Sequence, residues 1–205
     1  MGHSKIRCAV FAFAFSVSSL QAATIQLGNT PGGDNVIFNA CTAPILGASL
    51  AVEGCLNTAL STNVRATGVE NLVANGGQAR FEAQDGGFTS IVFEFANNAL
   101  DFSQFVLNIN AGGNGTVTFS AIGQNGPVFT TPTSWAVNSN GQNFFTLLAA
   151  PGESFRQLII SSTVNITDIR QVRVAQFVAT PEPASFALLS AGLLGLGIAR
   201  RRRHP

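Results

Sequence analysis

The sequence predicts an all-β body, a jelly-roll-like β-sandwich, and three observations carry that prediction. Short runs of β-branched and aromatic residues alternate apolar and polar with a period of two, as strands with one buried face do. Clusters of Gly and Asn separate these runs, each a tight-turn composition. Helical periodicity appears only from Leu46 to Leu60, so no long amphipathic helix breaks the series. Closely spaced turns without helices predict antiparallel sheets packed face to face.

The runs can be taken in order. In Ala79–Ala83 the polar Arg80 and Glu82 fall on every second position. Ile91, Phe93 and Phe95 make one face of the next run, and Phe105, Leu107 and Ile109 share a face while Asn108 and Asn110 point away. Val117, Phe119 and Ala121 repeat the alternation, and Val172 and Val174 set against Gln171 and Arg173 close the domain. Between these runs lie Asn75-Gly76-Gly77, Asp85-Gly86-Gly87, Gly112-Gly113-Asn114-Gly115, Asn125-Gly126-Pro127 and Asn140-Gly141.

The two ends are built differently. Lys5 and Arg7 precede an apolar run from Cys8 to Val17, and Ala22 and Ala23 follow, which reads as a secretory signal peptide over residues 1–23. The body then runs over 24–178, and the chain closes with a tripartite tail over 179–205. That tail holds Pro181-Glu182-Pro183, an uncharged stretch from Ala184 to Ala199, and Arg200, Arg201, Arg202 and Arg203. Sixteen uncharged residues make a transmembrane helix of roughly 24 Å. This is shorter than the roughly 30 Å hydrocarbon core, and arginines can bridge the difference by snorkelling. The arginines stay cytoplasmic and place the body across the membrane. A plain C-terminal anchor without processing is the simpler alternative.

The tail resembles the PEP-CTERM sorting signal of Gram-negative bacteria. The resemblance implies passage through the Sec export machinery, transient anchoring in the inner membrane and cutting near Pro181-Glu182-Pro183 by an exosortase. It also implies a cell-surface or extracellular setting among bacteria that make exopolysaccharide. Gly77-Gln78-Ala79-Arg80-Phe81, Asp85-Gly86-Gly87-Phe88, Gly141-Gln142-Asn143-Phe144-Phe145 and Thr167–Arg173 together resemble exported PEP-CTERM proteins with a sandwich-like body. No activity comes with that likeness.

Composition then narrows the chemistry. Within the body nine acids face five arginines, a net charge of −4 without a single lysine, which disfavours nucleic acid as a partner. Cys41 and Cys55 are an even pair in an oxidising compartment and are expected to form a disulfide. His3 and His204 lie in the terminal segments, so the body has no His, Lys or Tyr. That argues against serine and cysteine hydrolase dyads, histidine-ligated zinc and Schiff-base chemistry, and no cofactor motif is present. Paired carboxylates are the remaining catalytic option, and Glu82 and Glu94 are the candidates, on adjacent predicted strands. The outward face of a sandwich accounts for both as well. Asp34 and Asp85 read as turn residues before calcium ligands. Trp135 is a core residue or a glycan contact. The Asn- and Gln-rich surface, with Asn108, Asn110 and Gln142 in it, suits carbohydrate and ordinary turns alike. The expected function is therefore a non-enzymatic exported surface or matrix protein associated with exopolysaccharide. The alternative is a carbohydrate-binding module or, less favoured, a carboxylate glycosidase.

Overall fold

One unbroken strand of twenty residues, Gln157–Gln176, is the axis of the fold. A computed structural model describes residues 23–75, 79–123, 126–130, 133–139 and 141–178. The predicted signal peptide (Ala23 apart) and the predicted sorting tail with its transmembrane helix lie outside the described residues. The described residues are all-β. In chain order the strands are β1 (Thr24–Leu27), β2 (Asp34–Ile37), β3 (Ser49–Leu56), β4 (Ala59–Asn75), β5 (Arg80–Ala83) and β6 (Phe88–Phe95). They continue as β7 (Phe102–Ala111), β8 (Gly115–Gly123), β9 (Gly126–Thr130), β10 (Trp135–Val137), β11 (Asn143–Leu148) and β12 (Gln157–Gln176).

The antiparallel pairings divide into two leaves because β4 and β12 are long enough to run through both. The first half of β12 lies between β6 and β8, and β6 continues to β4 and β3. The second half lies between β7 and the short strands β5 and β2, and β7 continues to β11 and β1. The passage between leaves shows as a register shift between Ser161 and Ile166. β4 turns the same corner between Gly68 and Leu72, where its partner changes from β6 to β5.

Phenylalanine joins the leaves. Phe93 of β6 meets Phe105 of β7 at 4.8 Å between ring centroids, Phe95 meets Phe102 at 4.4 Å, and Phe119 of β8 meets Phe145 of β11 at 4.9 Å. All six rings are buried. The chain has 17 Phe and no Tyr, and a ring without a hydroxyl can be sealed between sheets with no polar atom to satisfy. The alternation read from sequence holds here: Ile91, Leu107, Ile109, Val117 and Ala121 all point inward.

The segment with helical periodicity, Leu46–Leu60, is not helical. It forms β3, a turn at Asn57 and Thr58, and the start of β4. Leu50 and Leu60 are exposed, whereas pairing with β2 and β4 buries Val52, Cys55 and Leu56. The Cys41–Cys55 disulfide is present and ties the β2–β3 loop to buried β3. A closed loop of this size contributes roughly 3 kcal/mol by the chain-entropy argument.

Candidate functional site

Without irregularity, residues 166, 168, 170, 172 and 174 of β12 would share one face. They do not, because β12 carries two bulges against β7. Ile166 pairs with Ala111 but Asp168 with Asn110, and Arg170 pairs with Asn108 but Arg173 with Val106. Each step puts one extra residue on β12 and so exchanges its faces. Ile166 is in the core, Asp168 and Arg170 turn to the outer face, and Val172 and Val174 return to the core. Gln171 sits in the second bulge at φ 52°, a left-handed conformation that few side chains adopt.

The same stretch lacks a neighbour on its other side. β5 pairs with Asp168 and Ile169, β2 with Arg173 and Val174, and the pairing is interrupted between them. A pocket of about 550 Å³ opens over this gap. Its polar lining is Asn35, Asn108, Asn110, Gln142, Gln171 and Arg170. Ala79, from the turn before β5, also lines it, at φ 31°. Among the described residues, the two non-glycine positions of positive φ thus both border this cleft. Such strain persists only where surrounding structure holds it, and it gathers at functional sites.

Asp168 lies beneath the cleft and is 1% exposed. Asn110 Nδ2 donates to its Oδ2 at 2.8 Å, and Arg170 Nη2 donates to the same oxygen at 2.9 Å. Arg170 Nε donates to Oδ1, and Arg80, itself paired with Glu82, stands 3.4 Å from Oδ2. Burial pushes the Asp168 carboxyl up, but hydrogen bonds from Arg170 and Asn110 and the charges of Arg80 and Arg170 outweigh it, leaving the group below its ordinary value. The hydrogen bond to Asp168 raises Arg170 in turn, against a smaller effect of burial. Arg170 uses Nε and Nη2 for this contact, and Nη1 has no hydrogen-bond partner among the described residues.

The residues singled out by sequence distribute unevenly around this site. Asn108, Asn110 and Gln142 line it. Glu82 and Glu94 do not form a pair: β5 and β6 are not neighbours, and the two side chains lie on the outer faces of opposite leaves. Glu94 belongs to a polar row through Glu53, Arg65 and Gln157, with Gln157 donating to it at 2.8 Å. Trp135 is half-buried and packs edge-on against Phe145 at 6.4 Å, on the inner side of β11, and is absent from the cleft lining. Asp34 sits in β2 and Asp85 in the turn before β6. Among the described residues no group of three His, Cys, Asp or Glu side chains is placed to hold a metal. Pro181, Glu182, Pro183 and Arg200 to Arg203 lie outside the described residues.

Asn35, Arg170 and Gln171 were not found as site residues from sequence. One signal was available. Thr167-Asp168 and Arg170-Gln171 are consecutive polar pairs inside an alternating strand, and a doubled polar position is how an extra residue enters a period of two.

Comparison with known proteins bears on the tail. Residues 179–203 match the PEP-CTERM protein-sorting motif. The motif marks an exported protein that is sorted by an exosortase and anchored in the membrane before processing. No curated protein and no solved structure matches the chain.

The bulge predicts the behaviour of Gln171→Gly. Glycine adopts positive φ without the side-chain penalty, so the variant should unfold at a higher temperature, by up to about 1 kcal/mol of added stability. A drop in stability would mean that the Gln171 side chain holds the bulge rather than being strained by it.

Proposed function

We propose that the protein is a non-enzymatic exported glycan-binding protein, a jelly-roll-like sandwich that holds exopolysaccharide in the cleft beside β12 after release at the cell surface. The observation that carries the reading is the lining: five side-chain amides and one guanidinium around an open volume of about 550 Å³. Amides offer donors and acceptors together, as sugar hydroxyls require. Strands that alternate between leaves support the sandwich: β6, β7, β8, β11 and the first half of β12 fall on opposite leaves in succession. The carboxylates near the cleft, Asp168 and Glu82, are engaged by Arg170 and Arg80, which leaves neither as an evident acid–base pair.

The position of the ends supports display. Thr24, Leu148, Gln104 and Ala175 lie in one row across β1, β11, β7 and β12, so the first and last strands of the body start and finish at one edge of the leaf. Asn108 and Arg170 lie farther along the same strands, about 13 Å away at the usual rise per residue. Segments leaving at that edge would tether the body there and keep the cleft clear of the tether.

Two measurements test the reading. Intact mass of protein from the native envelope should show a species that begins near Thr24 and ends near Pro181–Pro183; a mature species keeping Arg200–Arg203 contradicts exosortase processing. On a glycan array the exported protein should retain polysaccharide, and Asn108→Ala with Gln142→Ala should weaken retention about tenfold or more through lost hydrogen bonds. Retention of no glycan, or loss of binding in a folded Trp135→Ala variant with the amides intact, would contradict the cleft.

A further inference from the structure

The cleft has a chemical asymmetry. Arg170 is the charged side chain in its lining, and the anion that balances it, Asp168, is covered at 1% exposure beneath. The next carboxylate, Glu82, is paired with Arg80. Glu82 also acts on Arg170, at longer range and shared with Arg80, so a ligand entering from solvent meets the guanidinium with its hydrogen-bonded counter-ion covered. The contact to Asp168 comes from Nε and Nη2, on one edge of the planar group, and the edge carrying Nη1 has no hydrogen-bond partner among the described residues. A guanidinium fixed in orientation by a buried carboxylate, with a second edge open, matches a planar carboxylate with two parallel hydrogen bonds.

We propose that the cleft recognises an acidic sugar, a uronate unit of a polysaccharide, whose carboxylate sits on the free edge of Arg170; this rests on the glycan-binding reading above. Asn108 is directly opposite Arg170 in the β7–β12 ladder. Its amide, with Asn35 and Gln171 on the other sides of the gap, is placed for the hydroxyls of the same sugar. The bulge at Gln171 is part of the recognition, because it keeps Arg170 on the outer face while Val172 returns to the core. The body has nine acids and five arginines, so its overall charge does not attract polyanions, and selectivity for an acidic glycan must come from this local cation.

The test compares a galacturonate oligosaccharide with its carboxyl-reduced, neutral counterpart, by calorimetry on the exported protein with its disulfide intact. Wild type should bind the acidic form tighter by about tenfold or more, the usual gain from a charge-assisted hydrogen bond. Arg170→Gln should abolish the preference, but it also removes a partner of buried Asp168. Asn108→Asp avoids that difficulty: it sets a carboxylate opposite Arg170 and leaves the hydrogen bonds from Asn110 and Arg170 to Asp168 intact. With folding confirmed by thermal melting, its ratio of acidic to neutral affinity should fall to about one or below, since the new carboxylate competes for the guanidinium. Equal affinities in wild type, or an unchanged ratio in Asn108→Asp, overturn the acidic-sugar inference and leave the glycan reading standing. Binding of neither oligosaccharide, with no retention on the array, overturns both.

Discussion

A carboxylate closed off from water is tolerated only when it is paired and hydrogen-bonded, and Asp168 imposes that condition on one whole face of the protein. Meeting it requires Asn110 from β7, Arg170 from β12 itself and Arg80 from β5 to converge on one side chain. Those strands reach the group only because β12 is bulged on each side of it. The gap between β5 and β2, the polar cleft and the open edge of Arg170 follow from that local geometry. The neighbours are less buried than Asp168, with Arg170 at 43% side-chain exposure, so the network is wet at its rim and dry at its centre. Its energetic weight therefore lies in the hydrogen bonds to the buried oxygens, not in the outer ion pair of Arg80 with Glu82.

The rest of the body frees this face for polar chemistry. Stability is concentrated between the leaves, where phenylalanine rings from opposite leaves touch, and each such contact adds about 0.5–1.5 kcal/mol beyond its buried area. A core made from Phe, Leu, Ile and Val leaves few polar groups to satisfy inside. Two of the buried polar side chains are held by backbone: Asn143 donates to the carbonyls of Ile109 and Asn138, and Thr146 donates to that of Gly28. The outer faces carry the charge. On the first leaf it forms the row of Glu53, Arg65, Glu94 and Gln157, and on the second it surrounds Asp168.

Sequence made the strands legible because burial on one face leaves a period-two record, as in Ile91, Phe93 and Phe95. It also made the sorting tail legible, since Pro181-Glu182-Pro183, an apolar stretch and four arginines are contiguous, and residues 179–203 match the PEP-CTERM motif. The cleft was harder to see because it is assembled from residues far apart in the chain, such as Asn35, Asn108, Gln142 and Arg170. Periodicity also misleads where the backbone is irregular. The segment from Leu46 to Leu60 has helical spacing but folds as a hairpin, with Leu56 buried and Leu50 and Leu60 turned outward. Glu82 and Glu94 looked like neighbours because β5 and β6 are consecutive, whereas the chain changes leaf between them. Asn108, Asn110 and Gln142 read as a polar surface, and the pairing of β7 with β11 brings them together, but the bulges of β12 that add Arg170 and Gln171 to them leave no comparable record.

The central claim is that the bulges of β12 place Asp168 in a buried, arginine-held site, and its titration reports this directly. A carboxyl held below its ordinary value contributes stability above the unfolded value of 3.8, and that contribution is lost as pH falls through the lower folded value. Carbon-13 NMR of the Asp168 side-chain carboxyl should therefore give a midpoint below 3.8 in the folded protein. In Arg170→Gln the midpoint should move upward, since two hydrogen bonds and a positive charge are removed while burial remains. A midpoint at or above 3.8 in the wild type, or one that Arg170→Gln leaves unchanged, would contradict the account.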